Sequence, residues 1–288
     1  MAAPHFLVIG HLVKDKVAAG FRLGGTAAYA SLTASKLGVP TAVLTSAAAD
    51  LDLAALPPDI DVRLLPAPQT TVFENVYGPQ GRTQYVWGRA GAIAAQDVPD
   101  EFCQARIVLL GPLVGEVEEE VVRCFPRSLL AISPQGWLRA IRPDGRVERM
   151  SPLRWRPRLL LQHSQALFVS EEDLPPAEAE ETLARWTAQV PILFFTLGAR
   201  GSRLWHEGHW RQVPAFPATE VDPTGAGDVF AAAFLVRYAE TIDVGQAALF
   251  AAAAASLSVE DEGTAAIPSR AQVEERLHEH RELLTRYH

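Results

Sequence analysis

The run Asp222-Pro223-Thr224-Gly225-Ala226-Gly227-Asp228 stands directly before an apolar stretch, Val229-Phe230-Ala231-Ala232-Ala233-Phe234-Leu235. Gly-Ala-Gly carries almost no side chain, so a ligand can approach its backbone closely. The residues after it are good helix formers or bulky apolar packers. The free N–H groups of Gly225 to Asp228 therefore open a helix N-terminus, a ready site for an anion. Asp228 adds an ionisable group at the same end. An anion cradle beside a proton acceptor is what phosphoryl transfer to an alcohol requires. The bland alternative is a glycine turn whose aspartate complements the helix dipole. An acid on each side of the glycines makes this run longer than such a turn needs.

Positioning such a run takes a strand-and-helix scaffold, and the chain reads as one. Phe6-Leu7-Val8-Ile9-Gly10 is a short apolar run ending at glycine, like a buried parallel strand. Gly24-Gly25 precedes a helical pattern from Thr26 to Leu37, and Thr41-Ala42-Val43-Leu44-Thr45 reads as the next strand. This opening points to a parallel sheet with helices on its faces. Thr71 to Tyr77 and Arg82 to Trp87, joined by Gly78-Pro79-Gln80-Gly81, read as an antiparallel hairpin set apart from the main sheet. Apolar strands resume at Ile107, Leu129, Ala166 and Ile192. Helices are expected from near Gly225, from Val244 to Val259, and from Ser269, where Ser269 and Gln272 suit a capping box. No repeat or linker interrupts the 288 residues. The expectation is one domain over 1–288, with a small β lid from about 11–23 and 70–90.

Composition narrows the function classes. The chain is 48% apolar and 21% charged with a net charge of −8, an ordinary globular balance without the clustered positive charge that nucleic acid demands. Seven arginines fall between Arg139 and Arg158, but Asp144 and Glu148 interrupt them, which suits a solvated and partly paired surface; a partner contact is the other reading. Lysine occurs only at Lys14, Lys16 and Lys36, none of them after a glycine-rich loop, so a phosphate clamp must use amides, a metal or arginine. Cys103 and Cys124 lack metal spacing and read as reduced, buried thiols. His206-Glu207-Gly208-His209 lacks the i, i+4 spacing of a zinc helix and reads as a hairpin turn between Trp205 and Trp210. No leader pattern or long apolar span is visible, so a cytoplasmic chain with no membrane contact is expected.

The signature Asp222 to Asp228 resembles the second signature of the ribokinase-like (PfkB) family of sugar and nucleoside kinases. Gly24-Gly25 before a helix, the Thr83-containing hairpin, Thr196-Leu197-Gly198-Ala199-Arg200-Gly201-Ser202 and Gly263-Thr264-Ala265-Ala266-Ile267-Pro268 extend the likeness over most of the chain. The resemblance implies an α/β, three-layer ribokinase-like fold with a mostly parallel central sheet and a small β lid. It implies an enzyme using ATP and Mg2+, in which Asp228 is the general base for a substrate hydroxyl. The amides of Gly225, Ala226 and Gly227 would hold the transferring phosphoryl group. Thr196, Gly198, Gly201, Thr224 and Gly263 would contact the nucleotide, and backbone near Gly263 could hold a monovalent cation. Asp15, Gly24, Gly25 and Tyr29 would meet the acceptor. Asp222 would orient magnesium-bound water or cap the turn, and both readings stay open.

Three departures from the family pattern bear on the substrate. Tyr29 stands where the family often has asparagine, and its ring would stack on an acceptor or fill core. Ser170-x-x-Asp173 replaces Asn-x-x-Glu, leaving Asp173 able to order metal-bound water. Ser133 to Arg139 replaces an Asp-x-Asn-x-Arg segment. The expected activity is phosphorylation of a small sugar, sugar acid or cyclitol. Alternatives are a nucleoside kinase of the same fold, with Glu74, Asn75 and Tyr77 of the lid serving either acceptor, a non-catalytic sugar- or nucleotide-binding regulator, and a vitamin kinase. The last would more readily use a cysteine where Ala226 stands. A lid sheet can also be a dimer interface in the family, so a homodimer is among the expectations.

Overall fold

The computed structural model describes residues 4–78 and 81–283. Its strands are β1 (Phe6–Ile9), β2 (Val13–Val17), β3 (Gly20–Gly24), β4 (Thr41–Ala47), β5 (Asp61–Pro66), β6 (Val72–Gly78), β7 (Gly81–Val86) and β8 (Ile107–Leu110). They continue with β9 (Leu129–Ile132), β10 (Arg139–Ile141), β11 (Val147–Arg149), β12 (Ala166–Ser170), β13 (Ile192–Thr196), β14 (Ser202–His206) and β15 (His209–Val213). The α-helices are α1 (Thr26–Lys36), α2 (Arg158–His163), α3 (Ala179–Thr187), α4 (Ala226–Thr241), α5 (Val244–Ser258) and α6 (Arg270–Glu279).

Runs with no polar face, such as β1 and β8, suit strands covered on both sides. They lie in a nine-stranded sheet of order β15-β14-β13-β12-β9-β8-β1-β4-β5. Pairing is parallel from β13 through to β5, and at one edge β14 pairs antiparallel with both β13 and β15. Side chains alternate between the faces. Phe6 and Val8 join the core under α1, α4 and α5, while Leu7 and Ile9 join the one under α2 and α3. The result is three layers, as the resemblance implies.

One aromatic cluster fixes α4 to the sheet. Phe194 lies 5.0 Å from Phe230 and 4.7 Å from Phe234 of α4, and Phe168 stacks on Phe194 at 5.4 Å. Pairs of this kind add about 0.5–1.5 kcal/mol each beyond area burial. They hold the N-terminus of α4 beside the carboxyl ends of β12 and β13, where open α/β sheets bind ligands. Ser269 and Gln272 form the expected capping box of α6, and Glu207 (φ 53°) and Gly208 (φ 82°) form the tight turn between β14 and β15. Both cysteines are free and half-buried rather than fully buried, because the short helical turns that carry them lie at the edge of their core.

A second sheet, β3-β2-β6-β7, contains the segments read as a lid. The β6–β7 hairpin was legible, whereas the parallel pairing of β2 with β6 joins segments far apart in sequence. Part of the arginine run folds as the β10–β11 hairpin and leans on β7, with the N–H of Val86 donating to the Gly145 carbonyl at 2.8 Å. Arg142 pairs with Glu148 at 2.7 Å, as a partly paired surface requires.

Buried His11 ties this sheet to the body. Its Nε2 lies 2.8 Å from the Gly91 carbonyl and its Nδ1 lies 2.9 Å from Thr71 Oγ1. A carbonyl can only accept, so Nε2 carries the hydrogen and the Thr71 hydroxyl donates to Nδ1. One imidazole thus joins the chain entering β2, the chain entering β6 and the chain leaving β7. Buried Glu116 braces the same point, accepting from the N–H groups of His11, Leu113 and Val114.

Candidate active site

A cavity of about 660 Å³ runs between the second sheet, the N-terminus of α4 and the carboxyl ends of β12 and β13. Gly225 caps α4 at φ 81°, a conformation that favours glycine. A Cβ there would fall 2.2 Å from the Tyr29 ring, so the glycine lets α1 and α4 approach. The Ala226 N–H makes a turn bond to the Pro223 carbonyl at 3.2 Å. Gly227 and Asp228 lie in the first turn, whose N–H groups have no intrahelical acceptor. Of the three amides expected to hold phosphate, that of Ala226 is therefore engaged, and the Asp228 amide joins those of Gly225 and Gly227 as a candidate.

Asp228 lines the same cavity. Burial pushes its carboxyl up to about 6, with Asp173 adding to the rise while the Thr26 hydroxyl bond and the Arg139 charge oppose it. A carboxylate in that range is ionised at neutral pH yet basic enough to take a proton. Thr26 is fixed in turn by Gly111, where a Cβ would fall 2.2 Å from its Cγ2.

At the end of the cavity formed by the second sheet, where the acceptor is expected, Asp15 of β2 faces Arg22 of β3 across the strand pair. Burial pushes Asp15 up to about 6, with Asp222 adding and Arg22 opposing. Gly24 makes room for that carboxylate, since a Cβ there would fall 1.9 Å from Asp15 Oδ2. Tyr29 is buried with its hydroxyl unpartnered, and burial raises its pKa well above the usual phenol range. Its ring fills core against Gly225, and Tyr29 is also among the residues lining the cavity. Asn75 accepts from Gln84 at 3.1 Å on the lid floor, and Glu74 faces away, bonded to Trp87 and Lys16. The side chain of Tyr77 lies outside the described residues.

At the opposite end, Thr196 closes β13 and Gly198 (φ 57°) and Gly201 (φ 83°) shape the turn after it. Beyond them the wall turns apolar, with Phe216, Ala218, Ala252, Ala255 and Val259 forming a slot.

The cavity brings together Asp15, Gly25, Tyr29, Asp173, Thr196, Gly198, Gly201, Thr224 and the run Gly225 to Asp228. Gly24, Asp222 and Gly263 stand behind its wall. Asp222 accepts from the N–H groups of Thr224 (3.0 Å) and Gly263 (3.1 Å) and from Arg22 (3.2 Å). These bonds occupy its oxygens and favour the turn-cap reading over a metal role. Asp173 accepts from the Ser170 N–H at 3.0 Å and from Gln135 at 3.3 Å while still facing the cavity. Among the described residues no cluster of three or more His, Cys, Asp or Glu could hold a metal. A lone cavity-lining carboxylate such as Asp173 suits magnesium only where phosphates and water supply the other ligands, which is how that ion often sits.

Thr26 was not singled out from sequence, and Gln135 and Arg139 entered only as members of the Ser133 to Arg139 segment, without a role. Threonine directly after Gly-Gly was the available signal for the first. Arg139 also opens the arginine run read as surface; its guanidinium lies near the Leu113 carbonyl (3.4 Å) and over the Phe73 ring (5.9 Å).

Residues 151–271, which include β12, β13 and the α4 signature, match the model of the pfkB family of carbohydrate kinases. Ribokinase of Bacillus subtilis (strain 168) is 40% identical over 119 residues, covering 41% of each chain. Inositol 3-kinase of Oryza sativa subsp. japonica is 30% identical over 250 residues, covering 79% of this chain and 61% of that protein. The chain therefore matches less than two thirds of the length of these relatives. A pyrophosphate-dependent kinase of the ribokinase family, solved as a sulfate complex, superposes with a TM-score of 0.78 at 24% identity, over 94% of this chain and 99% of that one. That likeness shows the ribokinase-like fold. No helix among the described residues is long and apolar enough to cross a membrane.

Proposed function

We propose that this chain is an ATP-dependent kinase that phosphorylates a hydroxyl of a small sugar, sugar acid or cyclitol. The observation that carries the reading is one cavity holding Asp228, the amides that open α4, a polar acceptor end at Asp15 and an apolar slot beyond Gly201. The match of residues 151–271 to the pfkB model and the likeness to named kinases support it.

On this reading Asp228 takes the proton of the acceptor hydroxyl as it attacks the terminal phosphoryl group, worth about 10²–10⁴ in rate. The Gly225, Gly227 and Asp228 amides stabilise the charge that develops on that group. Asp15 and Asn75 orient the acceptor, and the lid excludes water that would otherwise take the phosphoryl group. Magnesium, when bound with the donor, would neutralise phosphate charge, and Asp173 is the carboxylate placed to face its water shell.

The fold is shared with a pyrophosphate-dependent kinase, so the donor is a point to test. Phe216, Ala218, Ala252, Ala255 and Val259 favour ATP, because pyrophosphate has no apolar part to fill their slot. The test is product formation from ATP and from pyrophosphate across a panel of sugars, sugar acids, cyclitols and nucleosides. ADP release with a sugar, sugar acid or cyclitol supports the reading. Turnover confined to nucleosides makes the chain a nucleoside kinase, and none with any acceptor favours the regulator.

A further inference from the structure

Arg22 pairs with Asp15 across β2 and β3, so both side chains leave the same face of the second sheet. The Arg22 guanidinium then crosses to the loop before α4. Its Nη2 donates to Asp222 Oδ2 at 3.2 Å, and its Nη1 lies 3.7 Å from Glu262 Oε2. It rests on Gly263, where a Cβ would fall 2.8 Å from Arg22 Cζ. A side chain at 263 would displace the guanidinium.

Asp222 is where three parts of the chain meet. Its Oδ1 accepts from the Thr224 N–H, and its Oδ2 accepts from both the Gly263 N–H and Arg22. Backbone bonds from Val221 and Asp222 to the Val259 carbonyl pin the start of the loop, and α4 pins its end. The Asp222 side chain braces the stretch between, next to the φ 81° cap at Gly225. Among these contacts, the one from Arg22 comes from the lid, and it is ionic at both ends. Bonds of that kind are roughly twice as strong as neutral ones.

We propose that Arg22 is a positioning residue that couples the lid to the anion hole. With β3 over the cavity, the guanidinium holds Asp222 and sets the amides of the 225–228 turn. With β3 displaced, Asp222 keeps only its backbone donors and the turn loosens. Asp15 reads the acceptor on the same rung of the sheet, so acceptor binding and phosphate alignment become linked. Such linkage must run in both directions. The inference rests on the reading of this cavity as a kinase site.

The test is amide exchange at Thr224 and Gly263, whose N–H groups both bond Asp222, in the free full-length chain. Arg22→Met is expected to speed both by roughly tenfold, the scale of one lost bond to a charged group, with β1 and β4 unchanged. Arg22→Lys, which keeps the charge without the fork, is expected to fall between, and millimolar guanidinium to restore part of the protection in Arg22→Ala. Unchanged exchange at Thr224 and Gly263 overturns the proposal. So does equal acceleration in β1 and β4, which would mark general destabilisation. In turnover, Arg22→Met is expected to lower kcat by about 10–100-fold, with KM for ATP changed by less than about threefold. A kcat within about twofold of wild type also overturns the coupling. The exchange readout needs no turnover, so a wild-type chain inactive on every acceptor would defeat the kinase reading while the exchange contrast still decided the coupling.

Discussion

The two ends of the cavity are built in different ways. At the phosphate end, backbone amides and one carboxylate come from a single contiguous run, Gly225 to Asp228, locked by a φ 81° cap against the Tyr29 ring. At the acceptor end, side chains come from separated pieces: Asp15 and Asn75 from the lid, Tyr29 from α1, Gln135 and Arg139 from the segment before and into β10. A contiguous backbone device cannot be altered without harming every reaction it serves. An end assembled from exchangeable side chains can change its acceptor while the transfer chemistry stays.

The sharpest way to break this contrast is Gly225→Ala. The new Cβ meets the Tyr29 ring at 2.2 Å and the backbone is in a glycine-favouring region. Loss of hole geometry is expected to lower kcat by about 10²–10³-fold, equally for every acceptor, in steady-state assays. A loss confined to one acceptor would show that the two ends are not separate.

The pH profile sharpens the contrast, because each end holds one carboxyl pushed up to about 6. Both are needed ionised, so activity is present above that pH and lost below it. Well under pH 6, kcat/KM is expected to fall by about a hundredfold per pH unit, reflecting two protonations. Asp15→Asn is expected to reduce the slope to about tenfold per unit, leaving the Asp228 limb. An unchanged slope would remove Asp15 from the account.

These two experiments use residues that were legible, and the reason is physical. Gly225 and Asp228 act through local geometry, which a helix start and its glycines declare in one stretch of sequence. Strands β1, β8, β12 and β13 declare themselves by unbroken apolar runs. Arg139 acts through tertiary placement: the β10–β11 hairpin leans on β7 and turns one member of a surface run into the cavity. The bonds that join Asp222 to Gly263 and Arg22 are likewise tertiary, linking segments far apart in sequence that no local pattern connects.

The smallest effect is expected far from either end. Ile242 caps α4 at φ 56° while 71% exposed, and β-branched residues tolerate that region poorly. Ile242→Gly is expected to raise stability by about 1 kcal/mol in urea unfolding, with kcat unchanged. A change in kcat would mean that α4 transmits strain to the phosphate end.

Asp228→Asn tests the central claim most directly, by comparing turnover with ATP binding in one variant. Above pH 6 Asp228 is charged and burial penalises that charge, so the asparagine variant is expected to keep or raise the melting temperature at neutral pH. The account predicts kcat reduced by about 10²–10⁴-fold, with the dissociation constant for ATP within about twofold of wild type. Turnover that survives in the asparagine variant would contradict it.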